Sequence, residues 1–255
     1  MDFKNKVVII TGASSGIGAT CAVKFAKASA KLVLVGRNVD NLSKTANSCR
    51  NFGLHPLIIV ADMCKEDDIK KIVDETVKYF GKIDVLVNNA GITMMRDIEG
   101  GIEAYDRVMR TNVRGPFLLT DLAMPHLIKT KGNVVNISSI LAHRPMAKMT
   151  AYCMSKAALD VFTKCAAAEF GPKGVRVNSV NPGPVRTDIF KAAGLDEEAN
   201  EMLFSTIEKG IPLRKVVSSE DVAEVVLFLA SDKACCVTGS CYEIDCGASI
   251  QQIKP

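Results

Sequence analysis

Thr11-Gly12-Ala13-Ser14-Ser15-Gly16-Ile17-Gly18 follows the apolar run Val7-Val8-Ile9-Ile10 and leads into a stretch, 17–28, whose apolar residues have helical spacing. A strand that ends in a glycine-rich turn and feeds a helix is the opening unit of an α/β pattern. Gly12 suits the sharp turn. Gly16 and Gly18 let a pyrophosphate approach the backbone and the helix N-terminus, where free N–H groups and the positive dipole end attract an anion. The spacing is GxxxGxG, a departure from GxGxxG, and glycine also serves tight turns for conformational reasons alone. Its meaning depends on what surrounds it.

Outward from that turn, short apolar runs alternate with longer helical patterns. The runs lie at 7–10, 32–35, 57–60, 85–87, 134–137, 175–180 and 242–244. They are rich in Val and Ile and continuous rather than alternating, as expected of parallel strands covered on both faces. Helical patterns fall at 17–28, 39–51, 67–80, 105–128, 152–170 and 221–229, the last preceded by Ser218 and Asp221 at capping-box spacing. Strand and helix in repeated alternation predict βαβ units on an open parallel sheet. Residues 184–217 break the rhythm, with apolar residues but no strand, and read as a helical flap over the sheet edge. With no repeat or linker, the 255 residues read as a single domain over 1–255.

Composition narrows the function classes. Hydrophobic residues make up 48% and charged residues 24%, ordinary values for a globular chain, and this length builds a large core without disulfide or metal staples. The net charge of +4 comes from scattered residues, so there is no basic stripe for nucleic acid. No apolar run reaches the ~18 residues that cross a bilayer, and the ends match no targeting signal. The expectation is a cytoplasmic protein with neither nucleic-acid nor membrane partners. Nine cysteines, an odd count without a CxxC, argue against a disulfide framework. Cys236, Cys241 and Cys246 recur every five residues with no histidine nearby; they read as buried small hydrophobes, and no metal is expected.

Further landmarks stand at the strand ends: Asp62 after the third run, Asn88-Asn89-Ala90-Gly91 after the fourth, and Ser139 after the fifth. Asn112 falls in the next helix, Tyr152-x-x-x-Lys156 opens another, and Asn181-Pro182-Gly183 follows the sixth run. With TGASSGIG, in this order and spacing from residue 6 to about residue 250, they resemble the short-chain dehydrogenase/reductase family. The resemblance implies a Rossmann-type, doubly wound parallel sheet of seven strands with helices on both faces, and nicotinamide-dependent redox chemistry. Cys246 stands where the family usually has glycine, and Tyr105 where tryptophan is frequent; neither bears on the chemistry.

Tyr152 and Lys156, four apart on a helix, share one face. A tyrosine titrates near ~10 in water, so it serves as an acid–base group at neutrality only where neighbouring positive charge favours the phenolate. Ser139 ends a strand at the carboxyl edge, where ligands of open α/β sheets bind, and can hold a substrate oxygen against the tyrosine hydroxyl. Ser138 competes for that role; the family spacing to Tyr152 favours Ser139. Asn112 carries an amide able to bind a backbone carbonyl or a water, and by resemblance keeps a proton-relay water connected to Lys156. His143 lies between Ser139 and Tyr152, either against substrate or as a solvated loop histidine.

By resemblance the cofactor set is Gly12, Ser14, Ser15, Gly16, Ile17 and Gly18 at the glycine turn. Asp62 receives the adenine amino group and Met63 adds apolar surface. Asn89, Ala90 and Gly91 approach the adenosine ribose, while Tyr152 and Lys156 face the nicotinamide end. Pro182, Gly183, Val185 and Thr187 complete it. The second run, Leu32-Val33-Leu34-Val35, ends in Gly36 rather than in the acid that accepts the adenosine ribose hydroxyls in NAD sites. Arg37 follows, with a fork of donors suited to phosphate, and Asn38 can add a hydrogen bond. These residues point to NADP(H). The implied activity interconverts a small, apolar carbonyl and its secondary alcohol, with Tyr152 as general acid/base. Alternatives are a 3-oxoacyl carrier-protein reductase and a catalytically silent nucleotide-sensing scaffold on the same fold. The pocket is expected from the flap and the 92–101 loop, lined by Ile189, Phe190, Leu195, Met202 and Leu203. Small residues, among them Ala157, Ala158, Ala166, Ala167 and Ala168, fit the close helix pairing of the homotetramer that the resemblance implies.

Overall fold

Val7–Thr11 forms the first strand, β1, and every one of its side chains is buried. That is the physical meaning of a continuous apolar run: helices cover the strand on both faces. The computed structural model describes residues 1–53, 55–99, 101–186 and 196–250. Thr187, Ile189, Phe190 and Leu195 lie outside the described residues.

Seven parallel strands form one sheet: β1, β2 (Lys31–Gly36), β3 (Leu57–Val60), β4 (Val85–Asn88), β5 (Asn133–Ile137), β6 (Arg176–Pro182) and β7 (Cys241–Ile244). Their order is β3-β2-β1-β4-β5-β6-β7. The chain builds outward from β1 in one direction and then returns to add β4 on its other side, where Val8 faces Val85 and Ile10 faces Val87. Beyond the carboxyl ends of β1 and β4 the connecting loops diverge to opposite faces and leave a crevice, the place where open α/β sheets bind ligands.

The helices are α1 (Gly16–Lys27), α2 (Val39–Arg50), α3 (Glu66–Phe80), α4 (Ile102–Met109), α5 (Gly115–Thr130), α6 (Thr150–Phe170), α7 (Glu197–Gly210) and α8 (Ser219–Ala230). Phe25, Ala22, Leu42 and Val226 pack with Ile10 and Val180 in one core layer, on the face covered by α1, α2 and α8. Ile72, Leu119, Leu127 and Ala166 pack with Ile9 and Val177 in the other, under α3, α5 and α6. Alternate residues of each strand thus feed opposite cores, as a period of two requires.

One expectation needs correction. The pattern over 105–128 predicted one helix, but Arg110–Arg114 forms a π-turn between α4 and α5. In the flap, Met202 is 67% exposed, while α7 buries Asn200 and Phe204. The capping box at Ser218 and Asp221 is present, with both reciprocal hydrogen bonds.

Candidate active site

The glycine turn is tied down by a residue from the loop that follows the neighbouring strand, β4. Asn89 Nδ2 donates to the carbonyls of Thr11 at 2.9 Å and Gly12 at 3.2 Å. In return Thr11 Oγ1 accepts the backbone N–H groups of Asn89 and Ala90, each at 3.0 Å. Gly12 has φ +66° and Gly16 φ +52°, the left-handed region that favours glycine. A β-carbon on Gly18 would fall 2.3 Å from the Gly12 carbonyl oxygen, so no larger residue closes this turn.

The start of α1 is bare. Its N-cap Ser15 makes no side-chain cap, and no acidic residue stands in its first turn. Elsewhere α2, α7 and α8 are capped by Asn38, Asp196 and Ser218, and α3 opens with Glu66, Asp67 and Asp68. A helix start at the crevice, without cap or acid and with glycine on its approach, offers its N–H groups to an anion. This fits the pyrophosphate of a dinucleotide. At the end of β2, Ser14 Oγ lies 3.5 Å from where a β-carbon of Gly36 would stand. Arg37 is exposed and takes no part in the ion pairs among the described residues. Asn38 uses its side-chain oxygen to cap α2 through Asn41 N at 2.9 Å, which leaves its amide nitrogen as the group for a ligand.

Asp62 Oδ1 accepts from Cys64 N at 3.0 Å, so its loop is self-braced. Met63 is turned inward. Its side chain is 6% exposed and packs in the core, and a β-carbon on Gly115 would meet its carbonyl oxygen at 2.8 Å. The apolar surface expected of Met63 faces the core rather than the crevice.

At the other end of the crevice, the Tyr152 phenol neighbours the Ser139 hydroxyl, which itself accepts from Leu141 N at 3.1 Å. The Lys156 ammonium sits 5.5 Å from the Tyr152 ring centroid and donates to the Ile137 carbonyl at 2.7 Å. Tyr152 is 9% exposed and Lys156 4%. Burial pushes the phenol up to about 12 against the lowering effect of the Ser139 hydroxyl. Burial also pulls the lysine down to about 8, opposed by the Asp160 carboxylate. Ser138 is committed elsewhere, donating to the Lys156 carbonyl at 3.2 Å; Ser139 is the hydroxyl that meets the tyrosine.

Asn112 is 1% exposed on the π-turn, a distortion that recurs at functional sites. Its Oδ1 accepts from Ile92 N at 2.9 Å, and its Nδ2 donates to Ile92 O at 2.9 Å and Ser155 Oγ at 3.0 Å. Asn112 therefore binds the loop after β4 to α6, the helix that carries Tyr152 and Lys156. Gly91 joins the two ends of the crevice: a β-carbon there would lie 3.4 Å from Asn112 Oδ1 and 3.5 Å from Lys156 Nζ.

Residues 181–183 are held by packing. Asn181 Nδ2 donates to Asp160 Oδ2 at 2.7 Å and to Ser139 O at 3.3 Å. Gly183 N donates to Ile244 O at 2.8 Å, and a β-carbon on Gly183 would strike Asp245 at 2.8 Å. Pro182 ends β6 opposite Ile244, and Val185 bridges to Val217 at the root of the flap. His143 is paired, its Nε2 2.7 Å from Glu243 Oε1. Cys236 is exposed, and Cys241 and Cys246 are half-buried, which corrects the reading of these cysteines as buried. Among the described residues no three His, Cys, Asp or Glu side chains converge as a metal site.

Sequence reasoning did not assign the side-chain roles of Thr11 and Asn89; their signal was adjacency of β1 and β4, which local pattern does not carry.

The family pattern described as enoyl-(acyl carrier protein) reductase matches residues 12–249. L-xylulose reductase of Caenorhabditis elegans is 37% identical over 252 residues, 97% of each chain. The 3-oxoacyl-[acyl-carrier-protein] reductase of Thermotoga maritima is 37% identical over 257 residues, covering 98% of this chain and all of that one. A C. elegans short-chain dehydrogenase/reductase, solved with cofactor, superposes with a TM-score of 0.94 at 35% identity, over 98% of this chain and 97% of that one.

Proposed function

Because the chain belongs to the short-chain dehydrogenase/reductase family, we propose that it is an NADP(H)-dependent oxidoreductase that interconverts a carbonyl and a secondary alcohol. The observation that carries this reading is the buried Tyr152 ring with the Lys156 ammonium 5.5 Å from its centroid, beside Ser139 at the carboxyl edge of β5.

When bound, a nicotinamide cofactor supplies or accepts the hydride. The bare start of α1, Gly12, Ser14, Ser15, Gly16, Ile17 and Gly18 would hold its pyrophosphate. Asp62, Asn89, Ala90 and Gly91 would border its adenosine half, and Pro182, Gly183, Val185 and Thr187 the nicotinamide half. Gly36 offers no carboxylate to repel a ribose phosphate, and Arg37 offers an unpaired guanidinium to receive it.

Within the site, Ser139 orients the substrate oxygen and Tyr152 gives or takes the proton at that oxygen. At neutral pH the buried phenol is protonated, ready to act as donor. Lys156 would hold the nicotinamide ribose hydroxyls, and its ammonium would draw the phenol back toward a workable acidity. Asn112 positions Lys156's helix against the loop after β4 rather than touching substrate.

We further propose a cytoplasmic homotetramer. Phe117 on α5 and Val161 on α6 are 56% and 61% exposed, and the Phe117 ring lies tilted against Phe162 with centroids 5.4 Å apart, an apolar strip suited to a two-fold helix pairing. All nine cysteines are free thiols, in keeping with a reducing compartment.

A screen of purified protein against ketones, sugars and 3-oxoacyl thioesters, read at the nicotinamide absorbance, tests the function. Reduction of at least one carbonyl with NADPH is expected. No turnover despite cofactor binding would favour a silent nucleotide-sensing role instead. Light scattering that shows a monomer at micromolar concentration would contradict the assembly.

A further inference from the structure

Cys235 and Cys236 lie between α8 and β7, far from the crevice. The short helical turn Asp232–Ala234 delivers them, and Gly239 N closes the loop onto Val177 O at 2.7 Å. That anchors them at the start of β6, whereas Ser139 and Tyr152 stand beyond the other end of the parallel sheet. Both thiols are exposed, and their sulfurs are 3.9 Å apart. Cys235 also borders an open cavity of about 340 Å³ lined by Lys131, Arg176, Asp232 and Thr238.

Two adjacent cysteines make a poor disulfide. Neighbouring Cα atoms across a trans peptide are about 3.8 Å apart, below the roughly 4.4–6.8 Å that an unstrained bridge spans. One atom inserted between the sulfurs relieves that strain. Sulfurs already 3.9 Å apart on exposed side chains need only small side-chain rotations to close on one shared soft atom. A resident zinc ion, however, takes three or four protein donors, and no such group of His, Cys, Asp or Glu exists among the described residues. An occupant that needs only two sulfurs fits.

We propose that Cys235 and Cys236 form a vicinal-dithiol site that chelates a trivalent organoarsenical. In the step, each thiol sulfur displaces one hydroxyl from RAs(OH)2, giving a cyclic RAs(S)2 dithiolate and two waters. Both S–H protons leave in the waters, and arsenic remains trivalent, so neither oxidant nor reductant is consumed. The Arg176 guanidinium, held by carbonyls of Leu229 at 2.8 Å and Ser231 at 3.1 Å, lines the same cavity as Cys235. The cavity beside Cys235 receives the organic substituent.

The test uses the full chain and phenylarsonous acid. After incubation and gel filtration in excess 2-mercaptoethanol, intact-mass spectrometry is expected to show one phenylarsenic group per wild-type chain. A chelate resists a monothiol, whereas 2,3-dimercaptopropanol strips it. Cys235→Ser and Cys236→Ser should each abolish the retained adduct, because one sulfur holds arsenic too weakly. Cys165→Ser, which removes an exposed single thiol, should keep it. Retention in either single variant of the pair, or no retention in the wild type, overturns the proposal.

Discussion

Asn89 on the loop after β4 reaches across to the end of β1, its amide nitrogen 2.9 Å from the Thr11 carbonyl oxygen. One side chain thus sets the shape of the glycine turn that leads into α1. Asn89→Ala removes this bond and the one to Gly12. Each is worth about 1 kcal/mol, so NADPH affinity should fall roughly tenfold or more, since ~1.4 kcal/mol is a factor of ten. Calorimetric titration of the variant checks it; unchanged affinity would show that the turn holds its shape without the staple.

Tyr152→Phe keeps the buried ring and deletes only the hydroxyl that meets Ser139. General acid–base help is commonly worth ~10²–10⁴-fold, so turnover should drop at least that far while cofactor affinity stays near wild type. Steady-state kinetics beside a binding titration separates the two effects. A variant that retains more than half its turnover rules out Tyr152 as the acid.

Lys156 gives the cofactor-free fold a pH signature. Its ammonium titrates at about 8 in the folded chain against 10.5 for the free side chain. Between those values the unfolded state binds more protons, so stability rises with pH. Denaturation of wild type and Lys156→Met across this window should show the wild type gaining on the variant by up to ~1.4 kcal/mol per pH unit. Tyr152, raised from 10.0 to about 12, acts in the opposite direction above pH 10, where the folded state keeps its proton longer. A flat difference between the two proteins up to pH 10 would contradict the burial of Lys156 as a strained charge.

Gly36→Asp restores a carboxylate at the end of β2. The new β-carbon would meet only the flexible Leu42 side chain at 3.3 Å and Ser14 Oγ at 3.5 Å, so the fold should tolerate it. The preference should move toward NADH. Arg37→Ala should weaken NADPH by a few kcal/mol, the range of a charge-assisted phosphate contact, with NADH little affected. Specificity constants for both cofactors with one shared substrate decide this. A wild-type NADPH/NADH ratio at or below about one refutes the assignment.

Much of the fold was legible in the residue order. Strands covered on both faces leave continuous Val/Ile runs, and all seven runs form strands of the parallel sheet. Tyr152 and Lys156 were readable because a helix places residues four apart on one face. The choice of Ser139 over Ser138 rested on spacing; that Ser138 donates to the Lys156 carbonyl was not readable from it.

What the sequence by itself determined was therefore whatever depends on near neighbours: strand and helix type, the glycine turn, the capping box and the absence of an acid after β2. Tertiary structure alone decided which distant groups meet. Asn89 finds Thr11, 78 residues away, because β4 pairs with β1. His143 finds Glu243 across 100 residues. The π-turn under Asn112 leaves no mark in the apolar pattern, because its hydrogen bonds are made by backbone common to every residue. The inward turn of Met63 and the exposure of Met202 were equally invisible, since a flexible thioether suits core or surface, and only the packing around it chooses.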